Sequence, residues 1–169
     1  QSIGSSTVCS GSSVTLSMVG FASPANSYQW SDANGAISGA TSSTYATSVA
    51  GSYTLTITDV NGCSATSSVV AVTVITPTTP TGLSASNIQL DRATMNWSSV
   101  ANANHYDIRM RVQGSAWSVL MSNIPSSYTS QTKTALSSST TYEWQIRAAC
   151  SNDSSSVSAW SSTQSFTTL

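Results

Sequence analysis

Apolar residues in this chain recur at every second position, in short runs broken by Gly, Asn, Pro and Ser. In "SVTLSM" Val14, Leu16 and Met18 alternate with polar partners, which predicts a half-buried strand. "SYQWS" places Trp30 on a second strand, and "GSYTLTITDVNGCSA" sets Tyr53, Leu55 and Ile57 on one face before a hairpin turn at Asn61-Gly62. "SSVVAVTV" completes this first set. A second set follows: a short strand through Leu83 and Ala85, then one with Ala93, Met95 and Trp97 facing one way. "HYDIRMRVQGSAWSVL" reads as a hairpin, with Tyr106, Ile108 and Met110 inward and the turn at Gln113-Gly114. "LSSSTTYEWQIRAAC" puts Leu136, Tyr142, Trp144, Ile146 and Ala148 in register. The pattern predicts an all-β chain of two tandem β-sandwiches. Between them lies "ITPTTPT", whose prolines among threonines favour an extended, semi-rigid connector. The expected division is therefore residues 1–75, a Thr/Pro linker at 76–81, and residues 82–169.

Composition agrees with this reading. Only 7% of residues are charged, against a usual quarter, and Ser and Thr make up more than a third of the chain. Small polar and β-branched side chains suit half-solvated strands. A formal net charge of −1, with no Lys or Arg before Arg92, gives no field for nucleic acid or an anionic membrane. The chain has no apolar run long enough to span a bilayer, no signal peptide and no initiator Met. It reads as a piece of a longer, processed and exported protein, extracellular or on the cell surface.

In the first half, Trp30 followed by G-x-Y (Gly51 to Tyr53) is the pattern of an immunoglobulin-like sandwich with a tyrosine corner. Together with "I-x-GAT-x-x-TY" (Ile37 to Tyr45) and "NGC" (Asn61 to Cys63), it resembles the immunoglobulin-like repeats of large secreted and cell-surface proteins of bacteria that use type IX secretion. The usual bridge of such sandwiches is missing, because Leu16 and Leu55 stand where cysteines are expected. Cys9 and Cys63 sit instead at the edges of this half. A bridge between them would close a loop of more than fifty residues, worth about 4 kcal/mol on the chain-entropy model. That expectation leaves Cys150 as a free thiol, open to a neighbouring domain or chain.

In the second half, Leu136, Thr140 and Tyr142 followed by alternation form a tyrosine-corner strand. With Trp97 and the closing "W-S-x-x-x-S-F-T-T" it resembles a fibronectin type III domain. "SAWS" occurs here twice, carrying Trp117 and Trp160. They are either a binding platform or framework residues. In the layout the resemblance implies, their strands lie in one sheet with two others between them and the rings stand toward opposite ends, which favours framework. Trp30, Trp97 and Trp144 are expected in the cores.

Candidate chemistry is sparse. His105 is the only histidine, so any Ser-His-acid or Cys-His arrangement must use it. Cys150 and Asp153 are expected near it, and a half-buried strand-end cysteine beside a loop histidine accounts for both without catalysis. The six carboxylates are scattered through turns and strand faces, which does not suit paired-acid glycoside chemistry. Asp32-x-Asn34-Gly35 and Asp59-x-Asn61-Gly62 look superficially like calcium-loop fragments, but the further oxygen ligands and terminal Glu of such a loop are absent, and Asx turns explain both stretches better without metal. Asp59 and Asn61 are the calcium candidates. One histidine and no closely spaced cysteines exclude zinc, and no cofactor is expected.

Two functions compete. The first is a non-catalytic extracellular pair acting as spacer, adhesion or presentation segment of a larger protein. Its partners would be neighbouring domains of the parent chain, surface glycans or another cell-surface protein. The second is a carbohydrate-binding accessory region of an exported polysaccharide- or protein-degrading enzyme, with Tyr28, Tyr128, Trp117 and Trp160 as candidate ligand aromatics. A surface of Thr-rich strands facing ice or mineral ranks below both, because the threonines lack a fixed repeat.

Overall fold

The structure, a computed structural model, describes residues 6–17 and 25–169. Met18, expected on an early strand, lies outside the described residues. Among the described residues every regular element is a strand, and the chain divides into two compact units, Gln1–Ile75 and Thr76–Leu169.

In the first unit the strands are β1 (Ser6–Cys9), β2 (Val14–Ser17), β3 (Ala25–Asp32), β4 (Gly35–Ala36), β5 (Thr44–Thr47), β6 (Gly51–Asp59), β7 (Ser64–Thr66) and β8 (Val70–Ile75). β2 and β5 form one small sheet. The other runs β1-β8-β6-β3-β4, with β7 also paired to β6 and β1 lying parallel to β8. Alternation decides the faces: Tyr53, Leu55 and Ile57 are buried and the threonines between them half-buried. They close on Trp30, Leu16, Val70 and Val72, and Trp30 stacks on Tyr45 at 6.0 Å. Tyr53 donates its hydroxyl to the Val49 carbonyl at 2.9 Å, and the Thr47 hydroxyl lies 3.0 Å away. This is the tyrosine corner expected from Gly51 to Tyr53.

The second unit contains β9 (Ser84–Ser86), β10 (Ala93–Asn96), β11 (His105–Val112), β12 (Val119–Pro125), β13 (Ser130–Lys133), β14 (Thr141–Ala149) and β15 (Gln164–Thr167). One sheet is β13-β10-β9 and the other β12-β11-β14-β15. Met95, Trp97, Tyr106, Ile108, Met110, Trp144, Ile146 and Phe166 fill the space between them. Tyr142 is the second corner, its hydroxyl accepting the Ser137 N–H at 2.9 Å. Residues 76–81 group with this unit, and Thr79 and Thr81 bond to Ala159 and Ser98.

The pairing of β12 with β11 is interrupted by a bulge. Ile124 pairs with Tyr106 but Met121 with Ile108, so the edge strand carries an extra residue. Asn123 takes a φ of 57° there, a left-handed conformation that Asn tolerates.

The cysteines correct the sequence expectation. Cys63 is a free, exposed thiol and so does not form the bridge expected of it, and Cys150 is not the free thiol. Cys63 follows the β6–β7 turn, where its N–H bonds to the Asp59 carboxylate at 2.9 Å. Spacing along a chain does not determine which cysteines pair, and the free-thiol role expected of Cys150 falls to Cys63.

Candidate functional site

The outer face of the four-stranded sheet concentrates the polar chemistry of the second unit. The even-numbered residues 106, 108 and 110 of β11 are buried in the core, so Asp107, Arg109 and Arg111 project outward. Register sets them opposite Arg147, Gln145 and Glu143 of β14. Arg111 Nε meets Glu143 at 2.7 Å, Arg109 Nε meets the Gln145 amide oxygen at 2.7 Å, and Arg147 Nη2 meets Asp107 at 2.9 Å.

Trp117 and Trp160 interleave with these arginines. Arg111 lies 4.3 Å and Arg109 4.6 Å from the Trp117 ring centroid. Arg109 also lies 4.5 Å and Arg147 4.7 Å from Trp160. The result is a continuous ladder, Arg111–Trp117–Arg109–Trp160–Arg147. The two rings therefore do not stand at opposite ends of the sheet, as the strand layout led one to expect. Residues 157–161 run beside β14 well before β15 begins, with Ser158 and Ser161 bonded to Ala148 and Ile146. Trp160 thus stands midway along the sheet, and the long Arg109 side chain spans the gap to Trp117. The framework reading of the two tryptophans gains from this, because two guanidinium groups over each ring occupy the π surface a sugar would need. Burial, together with the like charges of Arg111 and Arg147, lowers the Arg109 pKa below its usual range.

At the end of the same face lies His105, 3% exposed. Its Nε2 is 3.0 Å from Ser154 Oγ and 3.7 Å from Asp107, while Nδ1 faces the Asn104 amide oxygen at 3.2 Å. Ser154 is the partner sequence reasoning missed; it lies 49 residues away, in a loop without periodicity. The Ser–His distance suits a nucleophile and base. However, the carboxylate approaches the same nitrogen as the serine, whereas the acid of a Ser-His-acid arrangement meets the opposite ring nitrogen. Cys150, expected as a thiol near this imidazole, is disulfide-bonded. Asp153 instead caps its own loop. Its carboxylate accepts the Ser155 N–H at 3.0 Å, and hydrogen bonds from Ser155 and Ser151 hold its pKa down at about 2.

The remaining candidates sit in turns and on strand faces. Asp59 accepts the Asn61 N–H at 2.8 Å as well as that of Cys63, and Asp32 accepts the Asn34 N–H at 2.7 Å. Both are Asx turns, and Asn61 enters through its backbone. Tyr28 is half-buried against the first core. Outer-face hydroxyls pair across strands, Thr56 with Thr66 at 2.9 Å and Thr58 with Ser64 at 2.8 Å. Tyr128 alone of the candidate aromatics is open, at 56% exposure.

No protein-family model matches the chain, and no curated protein matches it. Solved structures do. A run of domains from titin superposes over 97% of this chain with a TM-score of 0.61 at 16% identity, and the FN domains of chicken contactin over 99% with 0.52, also at 16%. The chain spans 61% and 64% of those structures. These likenesses concern the fold: the chain is all-β, made of immunoglobulin- and fibronectin type III-like sandwich modules.

Proposed function

We propose that this chain is a non-catalytic extracellular module pair, serving as a spacer, presentation or adhesion segment of a larger secreted or cell-surface protein. The observation that carries this is how its polar side chains are used. Arg109, Arg111, Arg147, Asp107 and Glu143 pair with one another or with Gln145 and the indoles, and His105 pins Ser154. Groups engaged in the framework are not poised for a substrate. A disulfide fits an oxidising compartment, and no helix among the described residues is long and apolar enough to cross a membrane.

The partners are the neighbouring domains of the parent chain and surface glycans or proteins it meets. The sequence pattern of residues 8–75 points to cargo of type IX secretion as the setting. Titin and contactin, which share the fold, also string such modules in series. Two tests bear on this function. A fluorophosphonate probe should leave Ser154 unlabelled, and labelling that disappears in His105→Ala would establish a hydrolytic site instead. Replacing the segment in its parent by an unrelated pair of sandwiches of similar length should preserve the parent's surface activity if it is a spacer. Loss on replacement would assign it a contact of its own.

A further inference from the structure

The bulged edge of the second unit frames a cleft that the spacer role does not require. About 420 Å³ in volume, it is lined by Met121, Ser122, Asn123 and Ile124 of β12, by Tyr128, and by Gln131 of β13. Its size falls in the range of small-molecule sites. The lining has no charged side chain. Apolar groups of Met121 and Ile124 lie beside a hydroxyl, two amides and the open Tyr128 ring.

Two features show that the lining is positioned. The bulge that turns Asn123 is held by a buried carboxylate: Asp107, 2% exposed, accepts the Asn123 N–H at 3.3 Å while gripped by Arg147 from the other side. Bulges at sheet edges re-aim side chains in this way. Tyr128 is held by a turn, its N–H bonded to the Pro125 carbonyl at 2.9 Å. Among the described residues, the side chains of Ser122, Asn123 and Tyr128 have no hydrogen-bond partner, so their donors and acceptors are available to a ligand.

We propose that this cleft binds a neutral saccharide, one or two sugar rings in length. The pyranose C–H face would lie on the Tyr128 ring, and the Asn123 amide, the Ser122 hydroxyl and the Gln131 amide oxygen, whose Nε2 donates to the Thr132 carbonyl at 3.3 Å, would meet the sugar hydroxyls. A charged sugar would find no counter-ion in the lining, and a purely apolar ligand would leave these polar groups desolvated and unpaired. The spacer reading does not depend on this site and survives if the cleft stays empty.

The test uses the full chain, labelled with ¹⁵N and titrated with methyl glucosides, mannosides and galactosides, cellobiose and maltose. A ligand this small should bind with a roughly millimolar Kd. At least one probe should shift amides of residues 121–131. Tyr128→Phe should keep the response and Tyr128→Ala should weaken it about tenfold or more, as expected for loss of a stacking ring. Tyr128 is exposed, so neither variant threatens the fold. Silence with every sugar overturns the proposal, as do shifts that survive Tyr128→Ala. Stronger binding of glucuronate, or of an apolar peptide in place of the sugars, overturns it as well.

Discussion

Arg147 grips the Asp107 carboxylate through Nε at 3.0 Å and Nη2 at 2.9 Å, and so joins two features of the second unit. On one side Arg147 ends the Arg–Trp ladder; on the other Asp107 holds the β12 bulge through Asn123. Asp107→Asn removes the charge and leaves Arg147 without its counter-ion beside a buried amide. The expected loss is about 3 kcal/mol of unfolding free energy by urea denaturation, with amide shifts at residues 121–125. A change below about 0.5 kcal/mol would show that the pair holds neither the ladder nor the bulge.

Arg109 is the middle rung and, among the described residues, meets Gln145 and no carboxylate. Arg109→Ala should cost about 2 kcal/mol from two stacked indoles, and Arg109→Lys about half of that, because an ammonium lacks the planar face. A Lys variant as stable as the parent would mean that the stacking geometry contributes little.

Gly82 offers a separate check on the packing of residues 76–82. Its φ is 65°, and a Cβ built there would collide with the Ser98 hydroxyl. Gly82→Ala is expected to lower stability by about 1–3 kcal/mol, a combination of backbone strain and displacement of Ser98. Gly114→Ala provides the control. It shares the positive φ but meets nothing nearby, so only the strain remains. Equal losses in the two variants would show that the Ser98 clash contributes nothing.

Asp153 supplies the pH dependence. Its pKa is depressed from an ordinary 3.8 to about 2 by hydrogen bonds in the loop. A depressed carboxylate contributes stability that is fully present above the unfolded value and is lost as pH falls through the folded one. The Ser155 amide resonance should therefore titrate near pH 2, and Asp153→Asn should abolish that titration. A midpoint near the ordinary value would mean the loop bonds do not form in solution.

The thiols can be counted directly. The native chain should react with one equivalent of thiol reagent, at Cys63, and with two more only after reduction. Cys63→Ser should then leave the unreduced chain inert. Reaction at Cys150 instead would restore the pairing of Cys9 with Cys63 that the sequence suggested.

Much of the fold was legible because alternation directly encodes which face is buried. Trp30, Trp97, Trp144 and both corner tyrosines lie where period-two reading placed them. The outer face was not legible. Trp117 and Trp160 meet through Arg109, whose reach across strands has no signature in spacing, and the run of 157–161 along β14 carries no apolar alternation. Ser154 was missed for the same reason. Disulfide partners depend on three-dimensional proximity, which three scattered cysteines do not reveal.

Whether Trp117 and Trp160 belong to the framework is tested most directly by the stability of a Trp117→Ala/Trp160→Ala double variant, measured by urea denaturation. The expected loss is about 3–5 kcal/mol, from two half-buried indoles and the arginines stacked on them. A double variant within about 0.5 kcal/mol of the parent would contradict the framework role and make the two rings a surface kept for a ligand.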